Sequence, residues 1–466
     1  MLTFITGRSR KDCQGASRRD FLQAGSLGLG GLTLPWLFSH QARAAGETSY
    51  VKDKAVVLLF LSGGASHIET FNPNMSAPAP YHSVTGEVKT NVPGLSFGGT
   101  FPLLAEHAEK IAPIRSFRHP IGGHVQAIVH VLTGGTDPLG QGTEGFSLGS
   151  MYSRLRGSNH PVTGMPTFAL LNSDEVDGQY RNEKGRVEKG SRPGLLGPSY
   201  GPFIPGGKGP GVENMVLNMP KNRLDDRRSL LNALDGLKRQ AEAEAGLEGV
   251  DRFKQQAFDL ILGSASEAFD LTKEDSKIVD RYDTSRFRVG KKVFRDSQLG
   301  RHMLTARRLI EAGCGFVTVH SAGWDMHADG NNPGIFAGME MLGRPVDRAV
   351  SAFLADLEDR GMLDKVLLVI TGDFGRTPKI NSRGGRDHWA NLCTLAFAGG
   401  GLNTGGPIGQ SARNNDVPLS EPVGTDRLLG TVMHSLFDIG IVRVARGIPR
   451  ELLSKLETSP PIDGLI

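Results

Sequence analysis

Ala55-Val56-Val57-Leu58-Leu59-Phe60-Leu61-Ser62, followed at once by Gly63-Gly64, is the stretch that decides the fold. An apolar run of strand length without polar alternation is typical of a strand buried on both faces of a mainly parallel sheet. Three further runs of this kind follow, at Gly315–His320, Val366–Thr371 and Leu392–Ala398. We therefore predict that these four runs are strands of one central sheet.

Helical patterns separate the strands; they cover Phe101–Lys110, Asp225–Ala245, Arg252–Leu262 and Ser297–Ala312. Strands that alternate with helices indicate parallel βαβ units. The sequence thus predicts an α/β fold with a mainly parallel central sheet and helices on both faces. This order favours a single domain over residues 45–466 rather than two domains. The segment Pro193–Pro220 is rich in glycine and proline, so we expect a loop and a helical insertion near residues 193–300.

The N-terminal residues predict an export signal. Ser17-Arg18-Arg19-Asp20-Phe21-Leu22-Gln23 contains a twin-arginine motif, which a modestly apolar stretch from Ala24 to Phe38 and the small-residue site Ala42-Arg43-Ala44 follow. The apolar stretch is too short and too rich in glycine to span a bilayer stably. We predict a cleaved signal peptide over residues 1–44 and a periplasmic or extracellular mature protein. An ordinary secretion signal or a retained anchor is the alternative.

Charge bears on the expected binding partners of the chain, and cysteine content bears on disulfide formation. The chain has 53 basic and 49 acidic residues, and cleavage after Ala44 removes six basic and two acidic ones, which leaves 47 of each. A mature chain without net charge gives no reason to expect a nucleic-acid or anionic-membrane partner. No later stretch is apolar enough for a membrane-spanning helix. Cys314 and Cys393 lie in apolar, strand-like segments, so we predict buried free thiols rather than one disulfide bridge.

The motif Gly323-Trp324-Asp325-Met326-His327 follows the run that ends at His320. In extended backbone, residues two apart point the same way, so Asp325 and His327 can reach one cation. An aspartate and a histidine exposed in a turn would produce the same pattern. Because strand ends converge on one crevice in an open α/β sheet, we favour a metal site, completed by residues from other strand ends.

Two more motifs follow the apolar run that ends at Thr371. Asp373 stands two residues beyond it and is either a ligand or a cap for the next loop. Arg376 can donate two parallel hydrogen bonds to a phosphate or sulfate oxyanion in a bidentate manner, unless it pairs with Asp373 or Asp387. His388, in Gly385-Arg386-Asp387-His388-Trp389, is either a metal or acid-base residue or a histidine of the core. Together these motifs suggest a metal-dependent hydrolytic centre.

The motifs resemble a known superfamily. Thr371-Gly372-Asp373-Phe374-Gly375 looks like the Thr-Ser-Asp-His-Gly strand end of the alkaline phosphatases and sulfatases, Asp325 and His327 are similar to their upstream ligand pair, and His388 stands where their last ligand histidine falls. More specifically, the chain resembles an exported bacterial family known only as a domain of unknown function within that superfamily. The supporting segments are residues 63–73, 224–231, 306–313, 323–327 and 374–378. The resemblance implies an alkaline-phosphatase-like fold.

The chain departs from the superfamily at three places. Gly63-Gly64 stands where a two-metal phosphatase has an aspartate, and Phe374 stands where it has a histidine. The segment from His124 to Gly134 resembles the sulfatase segment that begins with the nucleophile, which puts His124 at the nucleophile position. One metal site is therefore preserved in ligand type, and the second keeps only Asp373 among its usual ligands.

The resemblance implies one divalent metal ion, zinc by ligand type, held by Asp325, His327 and His388. Three protein ligands and an open position suit a catalytic zinc, which lowers the pKa of a bound water to about 7 and makes a side-chain nucleophile unnecessary. The second site is either lost or rebuilt from His67, Glu69 and His124 around Asp373. In the alternative, His67 caps the following helix and His124 bonds to neighbouring backbone.

These inferences lead to a predicted function. We expect an exported metal-dependent hydrolase of phosphate or sulfate esters, small molecules or polymers, in which Arg376 steadies the equatorial oxygens. His124 would act as a general base or as a nucleophile. The alternative is a degenerate, non-catalytic member of the superfamily that serves as a secreted binding or structural component. A phosphomutase or transferase is a third class, for which the chain offers no specific support.

Overall fold

Six strands form the central sheet of this computed structural model: β1 (Ala55–Leu61), β2 (Ile111–Pro113), β3 (Phe168–Leu171), β4 (Phe316–Ser321), β5 (Val366–Gly372) and β6 (Leu395–Gly399), in the order β2-β6-β5-β1-β4-β3. The neighbours β5, β1, β4 and β3 pair in parallel, whereas β6 runs antiparallel to both β5 and β2. The predicted α/β fold with a mainly parallel sheet is confirmed. The fourth predicted strand exists as β6, but it begins at Leu395 and is the antiparallel one.

The structure describes residues 49–142, 145–173, 180–205, 264–290 and 292–466. The predicted signal peptide and the predicted helices Asp225–Ala245 and Arg252–Leu262 lie outside the described residues, as does the Gly/Pro-rich segment beyond residue 205. Residues Val51–Ile466 form one compact unit. No helix within the described ranges is long and apolar enough to cross a membrane. Cys314 and Cys393 are buried free thiols, as predicted.

Eight helices of seven or more residues are described: α1 (His124–Leu132), α2 (Leu148–Arg156), α3 (Arg181–Gly190), α4 (Ser276–Tyr282), α5 (Leu299–Glu311), α6 (Arg344–Asp359), α7 (Thr425–Leu436) and α8 (Arg450–Thr458). Short helices cover Pro102–Ala105, Ile335–Gly338 and Ile439–Val442, and a π-helical turn, Met339–Gly343, leads into α6. The predicted helix Ser297–Ala312 is confirmed as α5. The predicted helix Phe101–Lys110 is only partly helical, as Pro102–Ala105 and the 3-10 turn Ala108–Lys110.

Smaller elements complete the fold. Further 3-10 turns cover Ala79–Tyr81, Gly194–Leu196, Pro198–Tyr200, Ser264–Phe269 and Leu271–Lys273. Three two-stranded ribbons pair Glu87–Lys89 with Ser96–Gly98, Arg288–Val289 with Arg295–Asp296, and Gly375–Arg376 with His388–Trp389. The last ribbon lies directly beyond β5 in sequence and places Arg376 opposite His388. It therefore brings the predicted motifs around Arg376 and His388 next to each other.

Helices cover both faces of the sheet. On one face, Leu59 of β1 belongs to the core cluster that also contains Leu304 of α5 and Val350 of α6. On the other face, the ring of Phe316 in β4 lies 6.4 Å from the ring of Tyr152 in α2. Since all seven residues of β1 are buried, every position of the strand favours an apolar side chain. This explains why the deciding stretch is a continuous apolar run.

Candidate metal centre

Three neighbouring parallel strands end at the same edge of the sheet. The paired residues Phe60 of β1, His320 of β4 and Thr371 of β5 lie in register, so the segments after them leave the sheet side by side. Those segments contain Gly63-Gly64, the motif Gly323–His327 and Asp373. Helix α1 begins at the same centre with His124, and the ribbon opposite Arg376 supplies His388. The predicted convergence of strand ends therefore occurs.

Four side chains meet at this edge: His124, Asp325, His327 and His388, each with one ligand atom within 4.8 Å of the others. His327 Nε2 lies 2.8 Å from Asp325 Oδ1 and 2.9 Å from His388 Nε2. His388 Nε2 lies 3.3 Å from Asp325 Oδ1, and His124 Nε2 lies 3.4 Å from Asp325 Oδ2. The predicted ligands Asp325, His327 and His388 are thus brought together, and His124 lies beside them.

The outer nitrogen of each histidine has an acceptor. His124 Nδ1 lies 2.6 Å from Asp373 Oδ2, His327 Nδ1 lies 2.8 Å from Asp387 Oδ1, and His388 Nδ1 lies 3.1 Å from the carbonyl of Gly122. These acceptors hold a hydrogen on Nδ1, so in the neutral form of each imidazole Nε2 is the nitrogen that presents a lone pair to the centre.

The donor set fits a divalent metal ion. Two Nε2 lone pairs 2.9 Å apart beside a carboxylate repel one another unless a cation or a proton lies among them, and Nε2 of His124 lies 3.4 Å from the same carboxylate. Imidazole nitrogens combined with one carboxylate oxygen are typical ligands of zinc and other first-row transition metals. Outer acceptors on the Nδ1 atoms are also typical of metal-binding histidines.

Arg376 differs from its predicted role. Its side chain is fully buried, and Nη2 donates to Asp325 Oδ1 at 2.6 Å. Its Nε donates to the carbonyl of Gly64, Nη1 to the carbonyl of Arg386, and Nη2 also to the carbonyl of Gly63. Nη1 also lies 3.4 Å from His327 Nε2, so all three guanidinium nitrogens are engaged within the protein rather than with a substrate oxyanion. The structure therefore places Arg376 behind Asp325, where it orients the carboxylate.

Asp373 also differs from its predicted role, because it lies behind His124 rather than among the side chains that surround the metal position. It is fully buried, Oδ1 accepts from the backbone N–H of Gly63 at 3.0 Å, and Oδ2 faces His124 Nδ1. Both oxygens are engaged on the far side of His124, so Asp373 supports this histidine instead of serving as a ligand. The sequence predicts the strand-end position of Asp373, but the direction of its carboxylate depends on His124 of α1, which lies 249 residues away in sequence.

The rebuilt second metal site is not formed. His67 Nε2 donates to the carbonyl of Asn415 at 3.0 Å, and burial lowers the pKa of His67 to about 4. Glu69 is buried against Arg386, whose Nη2 lies 2.9 Å from Oε1. Neither side chain belongs to the four-residue cluster. The two residues between β1 and His67 that adopt positive φ are Gly63 and Gly64, with φ of +104° and +88°, a conformation that favours glycine.

Phe374 occupies the space next to the ligands. Its ring centroid lies 4.4 Å from that of His388 and 4.7 Å from that of His124. On its other side the ring packs on Gly64, where an added Cβ would come within 2.7 Å of it. The position at which the superfamily resemblance implies a ligand histidine thus carries an apolar ring.

The pKa values of the cluster follow from its packing. Burial alone would raise the pKa of Asp325, but hydrogen bonds from three histidines and the charge of Arg376 hold it far below its usual range. Burial alone would lower the pKa of His124, yet Asp325 and Asp373 raise it to about 9. The hydrogen bond with Asp325 raises the pKa of His327. Without metal the cluster therefore binds protons, and a metal ion must displace them.

Sequence reasoning missed the role of two residues. The sequence presents Asp387 only as a neighbour of His388 or a partner of Arg376, although its carboxylate holds His327. Its position beside His388 was the available signal, but the histidine it supports lies 60 residues earlier. Asn332, whose Nδ2 donates to Asp325 Oδ2 at 3.3 Å, had no signal in the sequence.

Comparisons with solved structures give distant likenesses. The lipoteichoic acid synthase LtaP from Listeria monocytogenes is 9% identical, with a TM-score of 0.39 over 88% of this chain and 76% of its own. The PsFucS1 sulfatase from Pseudoalteromonas sp. is 11% identical, with a TM-score of 0.33 over 83% and 72%. The phosphonate monoester hydrolase SpPMH from Silicibacter pomeroyi is 10% identical, with a TM-score of 0.33 over 82% and 73%. Such likenesses do not transfer an activity.

Comparison at the level of sequence families is more specific. The comparison with curated proteins gave no match. A family model described as "Protein of unknown function (DUF1501)" matches residues 53–439, which include every member of the metal cluster. The chain therefore belongs to the DUF1501 family.

Proposed function

We propose that this protein is a metal-dependent hydrolase of phosphate or sulfate esters that uses a single divalent metal ion, zinc by ligand type. The observation that carries the proposal is the convergence of three histidine Nε2 atoms, each fixed through Nδ1, on the carboxylate of Asp325. The choice of ester follows from the resemblance of the Asp325-x-His327, Asp373 and His388 motifs to the phosphatases and sulfatases. The substrate is either a small molecule or a polymer.

Asp325, His327 and His388 are the proposed ligands. Asp325 Oδ1, His327 Nε2 and His388 Nε2 lie within 2.8–3.3 Å of one another, which is the tightest set in the cluster. When bound, the metal ion supplies Lewis acidity, which polarises an ester oxygen and makes a water molecule more acidic. Arg376 holds the Asp325 carboxylate in the orientation that this set requires.

His124 is the proposed general base. Its Nδ1–H bond to Asp373 fixes the tautomer that leaves Nε2 free to accept a proton from the attacking water, and the Asp373 charge stabilises the resulting imidazolium. The same aspartate-histidine pair recurs in many hydrolases because it keeps the base oriented. Phe374 excludes water from one side of this imidazole.

The decisive experiment combines metal quantification with hydrolysis of aryl phosphates and aryl sulfates by the purified protein. We expect one metal ion per chain and hydrolysis that a chelator abolishes and zinc restores. His124→Ala should keep the metal but lose 10²–10⁴-fold in kcat, which is the usual contribution of general base catalysis. Loss of the metal in His124→Ala would instead make His124 a fourth ligand and refute its role as the base.

A non-catalytic binding or structural role is the second candidate function. Phe374 favours it, because an apolar ring beside the metal ligands removes one position at which a second ion would assist catalysis. A protein that holds its metal but hydrolyses neither class of ester would support this candidate. A protein purified without metal and unable to bind zinc would contradict the hydrolase proposal at its first step.

Export through the twin-arginine route is part of the proposal. It is supported by Arg18 and Arg19, the apolar stretch Ala24–Phe38 and the small residues before Gly46. This route carries folded proteins, which suits a chain that acquires its metal before export. Replacement of both arginines by lysine should leave the precursor in the cytoplasm, as fractionation would show. Normal export of this variant would refute the assignment.

A further inference from the structure

A second buried polar cluster lies under the same sheet edge as the metal centre. It consists of Ser62 directly after β1, Asn172 directly after β3, Glu183 on α3 and His320 in β4, each at most 7% exposed. None of them belongs to the four-residue metal cluster. Four polar side chains buried this deeply must satisfy one another, so the positions of their hydrogens follow from their contacts.

The chain of contacts starts at Asn172. Its Nδ2 donates to Glu188 Oε1 at 2.8 Å, so the group that faces His320 is the amide oxygen. That oxygen lies 2.6 Å from His320 Nδ1, which therefore carries the hydrogen. The other ring nitrogen, Nε2, lies 2.7 Å from Ser62 Oγ.

The hydroxyl of Ser62 has only one hydrogen for two partners. Besides His320 Nε2, it lies 2.5 Å from Glu183 Oε2. If Nε2 carries no hydrogen, Ser62 donates to it, and Glu183 must supply the hydrogen of the 2.5 Å contact. If Glu183 is ionised, His320 must be a buried imidazolium. In both cases the cluster holds one proton more than a neutral imidazole and a carboxylate would.

Burial decides between the two arrangements. A neutral carboxylic acid and a neutral imidazole leave no charge in the interior, whereas the ionised pair would be separated by Ser62. Burial raises the pKa of Glu183 to about 7 and lowers the pKa of His320 to about 3. Among the charged neighbours, Asp373 raises and His124 lowers the pKa of Glu183, while His302 and Lys184 lower that of His320. The neutral arrangement is thus favoured.

We propose that Glu183 is a protonated carboxylic acid in the native protein and acts as a positioning residue for the metal-ligand turn. Its Oε2 donates to Ser62 and accepts from the backbone N–H of Gly323 at 3.0 Å. Gly323 lies two residues before Asp325, and Ser62 precedes Gly63, whose N–H holds Asp373. One carboxylic acid therefore links the end of β1 to the turn that presents Asp325.

The proton is essential to this link. Without it, Ser62 would have two acceptors for one hydrogen, and a second carboxylate charge would lie near that of Asp373. Ionisation of Glu183 would therefore loosen the contact between the end of β1 and the Asp325 turn. The inference rests on the proposed hydrolytic centre for its purpose, but the proton itself can be detected without any hydrolysis.

The test compares Glu183→Gln with the natural protein by thermal unfolding of the metal-free form between about pH 4.5 and pH 8. A carboxyl group whose native pKa is raised contributes stability that is fully present below about pH 4.5 and is lost as the pH rises to about 7. Glutamine does not titrate, and an amide nitrogen in the place of Oε2 cannot accept from Gly323. We expect the variant to be less stable at low pH and the difference in Tm to shrink as the pH rises.

Two readouts separate this outcome from its alternatives. Glu340→Gln is the control, because Glu340 is an exposed carboxylate paired with Arg344, and its Tm difference should not shrink over this range. The natural protein at pH 6 should also show a carboxylic-acid C=O stretch in the infrared that Glu183→Gln lacks. A Tm difference that stays constant or grows with pH, or the absence of that band, would overturn the proposal. Neither result depends on whether the protein hydrolyses esters.

Discussion

Two clusters of buried polar side chains in this molecule differ in how their charges are balanced. Between α5 and α6, the buried Arg307 contacts three carboxylates: Glu274 at 2.7 Å, Glu311 at 2.6 Å and Asp356 at 2.9 Å. At the metal centre, lone pairs of histidines face one another around Asp325. The first cluster pairs one positive guanidinium with three negative carboxylates. The second consists mainly of acceptors, which become compatible only when a cation joins them.

The difference separates a structural cluster from a functional one. Both arginines are fully buried, but Arg307 neutralises carboxylates, whereas Arg376 shares Asp325 with three imidazoles and approaches only the Nε2 of His327, at 3.4 Å. Burial of a polar group without a partner costs about 1–3 kcal/mol, so such an arrangement is unfavourable unless a ligand completes it. Convergent acceptors at a strand edge therefore mark the site more reliably than buried charge does.

The largest effect is expected from Asp325→Ala. This substitution removes the carboxylate that contacts His124, His327 and His388 and leaves the Arg376 guanidinium buried without a counter-charge. We expect loss of bound metal and of any hydrolysis, measured by elemental analysis after desalting. Circular dichroism serves as the check on folding. A folded Asp325→Ala protein that retains one metal ion per chain would eliminate this centre.

Asp356→Ala should affect stability alone. Asp356 is 1% exposed and pairs with both Arg307 and Arg360, so its removal leaves a buried guanidinium without one of its partners. We expect a loss of about 3–5 kcal/mol in the free energy of unfolding, measured in urea, with unchanged metal content. The control is Asp359→Ala, an exposed partner of Arg281, which should cost about 0–1 kcal/mol. Equal losses of stability in the two variants would show that the buried Arg307 cluster is no more important for folding than a surface ion pair.

Asp387→Asn should weaken metal binding without abolishing it. The substitution removes the charge behind His327 Nδ1 while keeping an acceptor, and loss of such outer partners typically costs about 10–100-fold in metal affinity. Competition with a chromophoric chelator measures the change. Asp438→Asn is the matched control, since that carboxylate caps the helix Ile439–Val442. If both variants bind metal equally well, Asp387 does not support the centre.

Phe374→Leu should have the smallest effect. It keeps an apolar side chain but removes the flat ring that packs against His124 and His388, a contact worth about 0.5–1.5 kcal/mol. We expect a loss of stability of that size and, in the cobalt-substituted protein, a changed visible absorption spectrum because two imidazoles are less well oriented. An unchanged spectrum together with unchanged stability would show that Phe374 only fills space.

Much of the fold and the central part of the site followed from the sequence. Apolar runs predicted β1, β4 and β5 because strands covered by helices on both faces leave little choice of side chain. The Asp-x-His motif predicted that Asp325 and His327 act together because their separation is set by local backbone geometry. The antiparallel direction of β6 did not follow, since an apolar run carries no information about strand direction.

Tertiary structure alone decided the roles of the remaining residues. Asp373 supports His124, Arg376 is buried behind Asp325, and His67 bonds to Asn415 because residues distant in sequence occupy the space around each of them. The pair of Glu183 and His320 had no local signal, since its members come from α3 and β4 and meet only through Ser62. A sequence determines which side chains are available at a strand end, whereas the direction of each side chain depends on neighbours that only folding brings together.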